Sequence, residues 1–162
     1  MPAYEIQPAT IADAPTIAAF NIALAAESEQ LHLDPPTVAA GVKAVLCDPS
    51  KGRYFVARQT GGSEAGTVIG QIMVTFEWSD WRNGLMWWVQ SVYVHREHRR
   101  QGIFRALFDH VLDAASNEGV KIVRLYVEKD NRPARGTYAS LGLSDTGYLV
   151  LERIIENQSR DR

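Results

Sequence analysis

The sequence predicts an α+β protein with three layers, a mixed and mostly antiparallel twisted sheet lying between helices. Three observations predict it. Ile72, Val74 and Phe76 alternate with Gln71, Met73, Thr75 and Glu77, and Asn83-Gly84 follows, so two long strands pair as a hairpin. Val92 to Val94, an Arg-rich turn, a helical pattern and Lys121 to Val127 form a strand–helix–strand unit, which needs a parallel crossover. Two helical patterns stand between the first strand and all the others.

The elements follow in order. Tyr4 to Pro8 is a first strand, with Tyr4 and Ile6 on one face. Thr10-Ile11-Ala12-Asp13 matches a capping box, and the alanine-rich run behind it predicts a helix to Ala26. Glu27 to Leu33 reads as a polar connection. Asp34-Pro35 starts a second helix that ends at Asp48-Pro49. Arg53 to Arg58, Thr67 to Glu77 and Leu85 to Val94 are strands two to four. Phe104, Leu107, Phe108, Val111, Leu112 and Ala115 mark one face of the central helix, which starts near Gly102 and stops at Gly119. Lys121 to Val127 is strand five. Ala134, Thr137, Tyr138 and Leu141 mark a short helix ended by Gly142, and Tyr148 to Glu152 reads as a last strand. The order is βααβββαβαβ. The 162 residues suit one domain over 1–156, with a polar tail at 157–162.

Composition narrows the function classes. A hydrophobic fraction of 46% and a charged fraction of 22% describe a soluble globular protein. The net charge of −2 gives no whole-protein footprint for nucleic acid. No apolar run reaches membrane-spanning length, and Met1 to Glu5 shows no secretory start. The lone Cys47 cannot form an intrachain disulfide and fits a reducing cytoplasm; packing at a helix end is its expected role. His32, His95, His98 and His110 show no metal-ligand spacing, so no metal is expected.

Chemistry concentrates at the start of the central helix. A helix start leaves its first N–H groups unpaired and partly positive. Gly102 lets an anion approach the backbone, and Arg96, Arg99, Arg100 and Arg105 crowd the same turn. The physical reading is a phosphate or pyrophosphate cradle. A basic, solvated helix start is the plain alternative. A nucleotide-binding domain is a third class, but no Gly-Lys-(Ser/Thr) element supports it.

Arg99-Arg100-Gln101-Gly102-Ile103-Phe104 resembles the (Gln/Arg)-x-x-Gly-x-(Gly/Ala) signature of the GCN5-related N-acetyltransferases (GNAT), departing from it at Phe104. Asn131, Ala134, Tyr138 and Leu141-Gly142 resemble that family's later motif, Asn-x-x-Ala, then Tyr, then x-x-Leu-Gly. With the lead-in elements, the resemblance covers nearly the whole chain. It implies a GNAT-like fold whose sheet splays between strands four and five, and acetyl-coenzyme A as co-substrate. Val92, Tyr93 and Val94 would offer backbone groups to the pantetheine arm and the thioester carbonyl. Arg99, Arg100, Gln101, Gly102, Ile103, Phe104 and Arg105 would hold the pyrophosphate, and Asn131 the pantetheine arm. Tyr138 would be the general acid for the departing thiolate; a core tyrosine on an apolar stripe is the other reading of that position.

The implied reaction is direct attack by a primary amine, on a small molecule or a peptide, in a ternary complex. A homodimer through exposed strands is common in the family. Strand four carries no carboxylate at Trp87-Trp88-Val89-Gln90, so Glu77, Asp80, Glu27 or Glu29 is left to take the amine's proton. That gap, with Phe104, is the sequence support for the alternative, a non-catalytic acyl-coenzyme A-binding regulatory module. The tryptophans at 78, 81, 87 and 88 cluster around the hairpin, as a substrate wall or as sheet packing.

Overall fold

Alternating apolar residues in five segments build one sheet, seen in a computed structural model that describes residues 3–155. The expected tail at 157–162 lies outside the described residues. The chain divides into two compact units, Met1–Tyr126 and Val127–Arg162. Among the described residues no helix is long and apolar enough to cross a membrane.

The first unit holds strands β1 (Tyr4–Pro8), β2 (Arg53–Gln59), β3 (Val68–Ser79), β4 (Gly84–Val94) and β5 (Ile122–Leu125), side by side in chain order. The first three pairings are antiparallel and β4–β5 is parallel, as the crossover requires. Its helices are α1 (Ala14–Glu29), α2 (Pro35–Cys47) and α3 (Ile103–Asn117). Asp34 caps α2 by accepting from the Thr37 N–H at 3.0 Å. Ile17, Phe20 and Val42 of the first two helices pack with Tyr54, Val56, Met73 and Tyr93 of the sheet. Side chains alternate across a strand, so Gly70, next to Gln71, faces the other way. A Cβ there would lie 3.2 Å from Ile103 Cγ2 and 3.3 Å from Leu107 Cδ1, so α3 sits tightly on that spot.

Two features shape β4. In the pairing with β3, Met73 opposes Ser91 but Val74 opposes Val89, which leaves Gln90 as a bulged extra residue. In the pairing with β5, the last register is Val89 with Leu125. Beyond it, β4 continues from Gln90 to Val94 with no β5 partner. The sheet opens there, between its fourth and fifth strands.

Several boundaries differ from expectation. The Thr10 N–H does donate to Asp13 Oδ2 at 2.8 Å, but this box closes a 3-10 turn, Ile11–Asp13, ahead of α1. The first helix runs past Ala26 to Glu29 and ends at Gln30 in a left-handed conformation, φ 55°. Ser28 Oγ donates to Leu24 O at 2.6 Å there, so the polar residues continue the helix instead of forming a connection. Strand five is shorter than Lys121 to Val127. Cys47 is exposed at the last position of α2, not packed.

The second unit contains α4 (Arg132–Ser140). Asn131 Oδ1 accepts from the Ala134 N–H at 3.1 Å and caps it, with Pro133 in the first turn. The expected last strand, Tyr148 to Glu152, is not formed. No described strand lies within this unit to pair with it, and β-propensity without a partner's hydrogen bonds does not make a strand.

Candidate active site

The site begins where β4 ends. His95 N donates to Ile69 O of β3 at 2.9 Å. Backbone groups alternate sides along an antiparallel strand, so those of Val92 and Val94 point the opposite way, toward the side β5 has left. Val94 O is taken there by Arg99 Nε at 3.0 Å. The N–H groups of Val92 and Val94 thus face the opened seam.

The turn that follows is shaped for backbone exposure. Arg100, at φ 62°, and Gly102, at φ 80°, are both left-handed. Ala106 N donates to Gly102 O at 3.0 Å, the first bond of α3, so the amides of Ile103, Phe104 and Arg105 precede it. They combine with the helix dipole at the same point. A Cβ on Gly102 would make only an ordinary 3.8 Å contact with Tyr4 Oη, so glycine serves the backbone angle, not a crowded neighbour.

These parts line one cavity of about 540 Å³. Val92, Tyr93, Val94, Arg99, Arg100, Gly102, Ile103, Phe104 and Arg105 all border it, with His98 and, from α1, Leu24, Glu27 and Ser28. Its volume falls in the range of small-molecule sites. Phe104 lines it with its ring stacked on Phe108, centroids 6.4 Å apart. Gln101 does not line it; its Nε2 donates to Glu97 O at 3.4 Å. Asn131 and Tyr138 belong to the second unit. Tyr138 is half-buried on α4, and burial pushes its phenol above the usual value. The cavity fits a phosphate-bearing ligand by its donors: three helix-start amides and the guanidinium groups of Arg100 and Arg105, the latter 3.6 Å from Asp109 on the surface.

Glu27 joins the two sides of this cavity. Its Oε1 accepts from Tyr93 Oη at 2.9 Å, and its Oε2 from Arg99 Nη2 at 2.6 Å. The Arg99 guanidinium also lies over the Tyr93 ring, 5.3 Å from its centroid, and Phe20 packs on that ring at 5.0 Å. The Arg99 hydrogen bond, then that of Tyr93, hold the Glu27 carboxyl below its ordinary value. Burial, then Glu27, push the Tyr93 phenol up. Glu27, expected in a polar connection and as one of four candidate carboxylates, lies in the last turn of α1. Leu24, Glu27 and Ser28 recur at helical spacing, which is the signal that marks one face toward the cavity.

The other carboxylates considered for proton removal sit elsewhere. Glu77 accepts from the Trp88 indole N–H, and Asp80 Oδ1 accepts from the Trp81 N–H in the hairpin turn at 2.9 Å. Glu29 ends α1 and is exposed. Glu27 alone of the four lines the cavity. The tryptophans divide: Trp87 is fully buried against Phe76, Trp88 stacks on Tyr126 at 4.6 Å, and Trp78 and Trp81 are exposed. Among the described residues no group of three or more His, Cys, Asp or Glu is placed to hold a metal ion.

Comparison with known proteins bears on this geometry. A family model described as "Acetyltransferase (GNAT) family" matches residues 19–143. A solved structure described as a possible acetyltransferase from Clostridium difficile 630 is 43% identical, with a TM-score of 0.89, covering 96% of this chain and 99% of that one. Thialysine N-epsilon-acetyltransferases from Bos taurus and Mus musculus are 31% and 32% identical over 85 residues, 52% of this chain. That match spans 49%, about half, of the length of each of these curated relatives.

Proposed function

The chain belongs to the acetyltransferase (GNAT) family, and on that premise we propose that it transfers the acetyl group of acetyl-coenzyme A to a primary amine by direct attack in a ternary complex. One observation carries the reading. The open seam beside β4 and the first turn of α3 border the same cavity, so a thioester and its phosphates have donors in one place.

Acetyl-coenzyme A supplies an activated acetyl carbon. On this reading the Ile103, Phe104 and Arg105 amides, with Arg99, Arg100 and Arg105, hold the pyrophosphate. Gly102 keeps that backbone open, and Asn131 steadies the pantetheine arm through its amide nitrogen, its oxygen being the α4 cap. The Val92 or Val94 N–H donates to the thioester oxygen as negative charge grows on it, the kind of stabilisation worth about 3 kcal/mol in acyl transfer. The C–N bond forms, the C–S bond breaks, and the proton the amine loses passes to water. Tyr138, assigned by its place in the Asn131 to Gly142 motif, protonates the leaving sulfur. Its raised pKa keeps it protonated through neutral pH, so it is always a donor, though it is a weaker acid than a free thiol at about 8.5.

The acceptor is a primary amine on a small molecule or peptide; relatives named for the ε-nitrogen of thialysine favour starting there. Thiol release from acetyl-coenzyme A across an amine panel including thialysine, lysine and polyamines tests this. Turnover on at least one amine is expected, and Tyr138→Phe is expected to lower kcat while leaving coenzyme A affinity within about twofold. One observation favours a second reading, an acyl-coenzyme A-binding regulatory module: the carboxylate lining the cavity is already engaged by Arg99 and Tyr93. Binding without turnover on any amine would select it.

A further inference from the structure

Arg99 opens the phosphate-binding turn, yet its guanidinium is already occupied within the protein. Its Nε donates to Val94 O at 3.0 Å, its Nη2 to Glu27 Oε2 at 2.6 Å, and its plane covers the Tyr93 ring. Glu27, fixed from its other oxygen by Tyr93 Oη at 2.9 Å, is therefore an anion seated on the first arginine of an anion-binding turn. A carboxylate lining a cavity built for phosphate opposes the ligand the cavity takes. The pair's side chains are 43% and 45% exposed, so water screens their attraction, and a multiply charged ligand can break it. Further cations stand around Glu27: Arg96 acts on it through space, and Arg100 and Arg105 border the same cavity.

We propose that Glu27 is a positioning residue acting through Arg99, an internal counter-anion that the phosphate of the acyl carrier displaces. In the free protein it holds Arg99 against β4 and ties the last turn of α1 to the cofactor turn. When phosphate takes Arg99, that tie loosens, and the carboxylate at the end of α1 is released to the cavity. Glu27 thus sets cofactor affinity below what the arginines alone would give. This rests on the acetyl-coenzyme A reading above.

Calorimetric titration of coenzyme A into wild type, Glu27→Gln and Tyr93→Phe tests it, with a thermal melt of each. Removing one charge beside a partly hydrated phosphate site changes affinity by roughly three- to tenfold. Glu27→Gln is expected to bind coenzyme A tighter by that factor at about 50 mM salt, with the gain fading near about 0.5 M as charges are screened. Tyr93→Phe keeps the charge pair and is expected to show no tightening. A merely structural Glu27 would give the opposite sign: weaker binding and a lower Tm. Unchanged or weaker binding in Glu27→Gln, or equal tightening in Tyr93→Phe, overturns the proposal. Absence of binding by wild type overturns the proposed function and this inference together; wild-type binding without tightening in Glu27→Gln overturns the role of Glu27 alone.

Discussion

Gly102→Ala separates the backbone contribution of the site from its charges. Gly102 has φ 80° and ψ 0°, a left-handed conformation that costs an L residue about 1–2 kcal/mol. Space adds nothing to this, since the new methyl would meet only Tyr4 Oη at 3.8 Å. The expected loss is therefore about 1–2 kcal/mol of stability, or a fall in Tm of roughly 2–8 °C for a chain of this size. Binding should suffer more than folding, because the methyl stands at the start of α3, where the proposed function places phosphate on the Ile103 to Arg105 amides. Losing one or two charge-assisted hydrogen bonds at about 1.5 kcal/mol each predicts coenzyme A affinity lowered by tenfold or more. Paired thermal melts and calorimetric titrations measure both. A variant that melts a few degrees lower yet binds coenzyme A as wild type would refute the placement of phosphate on these amides.

The other predictions concern the frame. Gly70→Ala should cost about 1–3 kcal/mol, because its Cβ would press on fully packed Ile103 and Leu107; a denaturation midpoint equal to wild type would mean α3 can shift freely. Asp13→Asn should cost a similar ~1–3 kcal/mol, since buried Asp13 accepts from Arg58 Nη2 at 2.7 Å. Burial alone would raise the Asp13 pKa, but hydrogen bonds from Thr10 and Arg58 outweigh it and the net shift is downward from 3.8. A depressed carboxyl stabilises fully above its unfolded value, and that stability is lost as pH falls through the folded value. The wild-type advantage over Asp13→Asn should hold from neutral pH to about 4 and shrink below it; urea titrations at stepped pH check the sign, and a gap that widens in acid would contradict it.

Much of this layout was legible in residue order, for local reasons. Asp34 before Pro35 made a helix start because a short acceptor reaches the Thr37 N–H from there. Asn83, with φ 47°, closes the hairpin turn in a backbone few residues tolerate, and Gly84 opens β4 opposite Ser79. Alternation placed Ile72 and Val74 in the core. What escaped depends on contacts between distant segments. The bulge at Gln90 leaves no mark on the pattern, since Trp87, Val89 and Tyr93 are all buried on either side of it. Yet Trp87 packs on Phe76 whereas Tyr93 packs on Phe20 of α1. Glu27 looked like loop polarity until the end of α1 met β4. Tyr148 to Leu151 has strong strand propensity, and only pairing could have settled its state.

The most direct measurement is a structure of the protein with coenzyme A bound. The pyrophosphate is expected on the Ile103, Phe104 and Arg105 amides, the thiol end beside Val92 and Val94, and Arg99 turned from Glu27 toward phosphate. Coenzyme A bound away from the seam between β4 and β5 would contradict this placement.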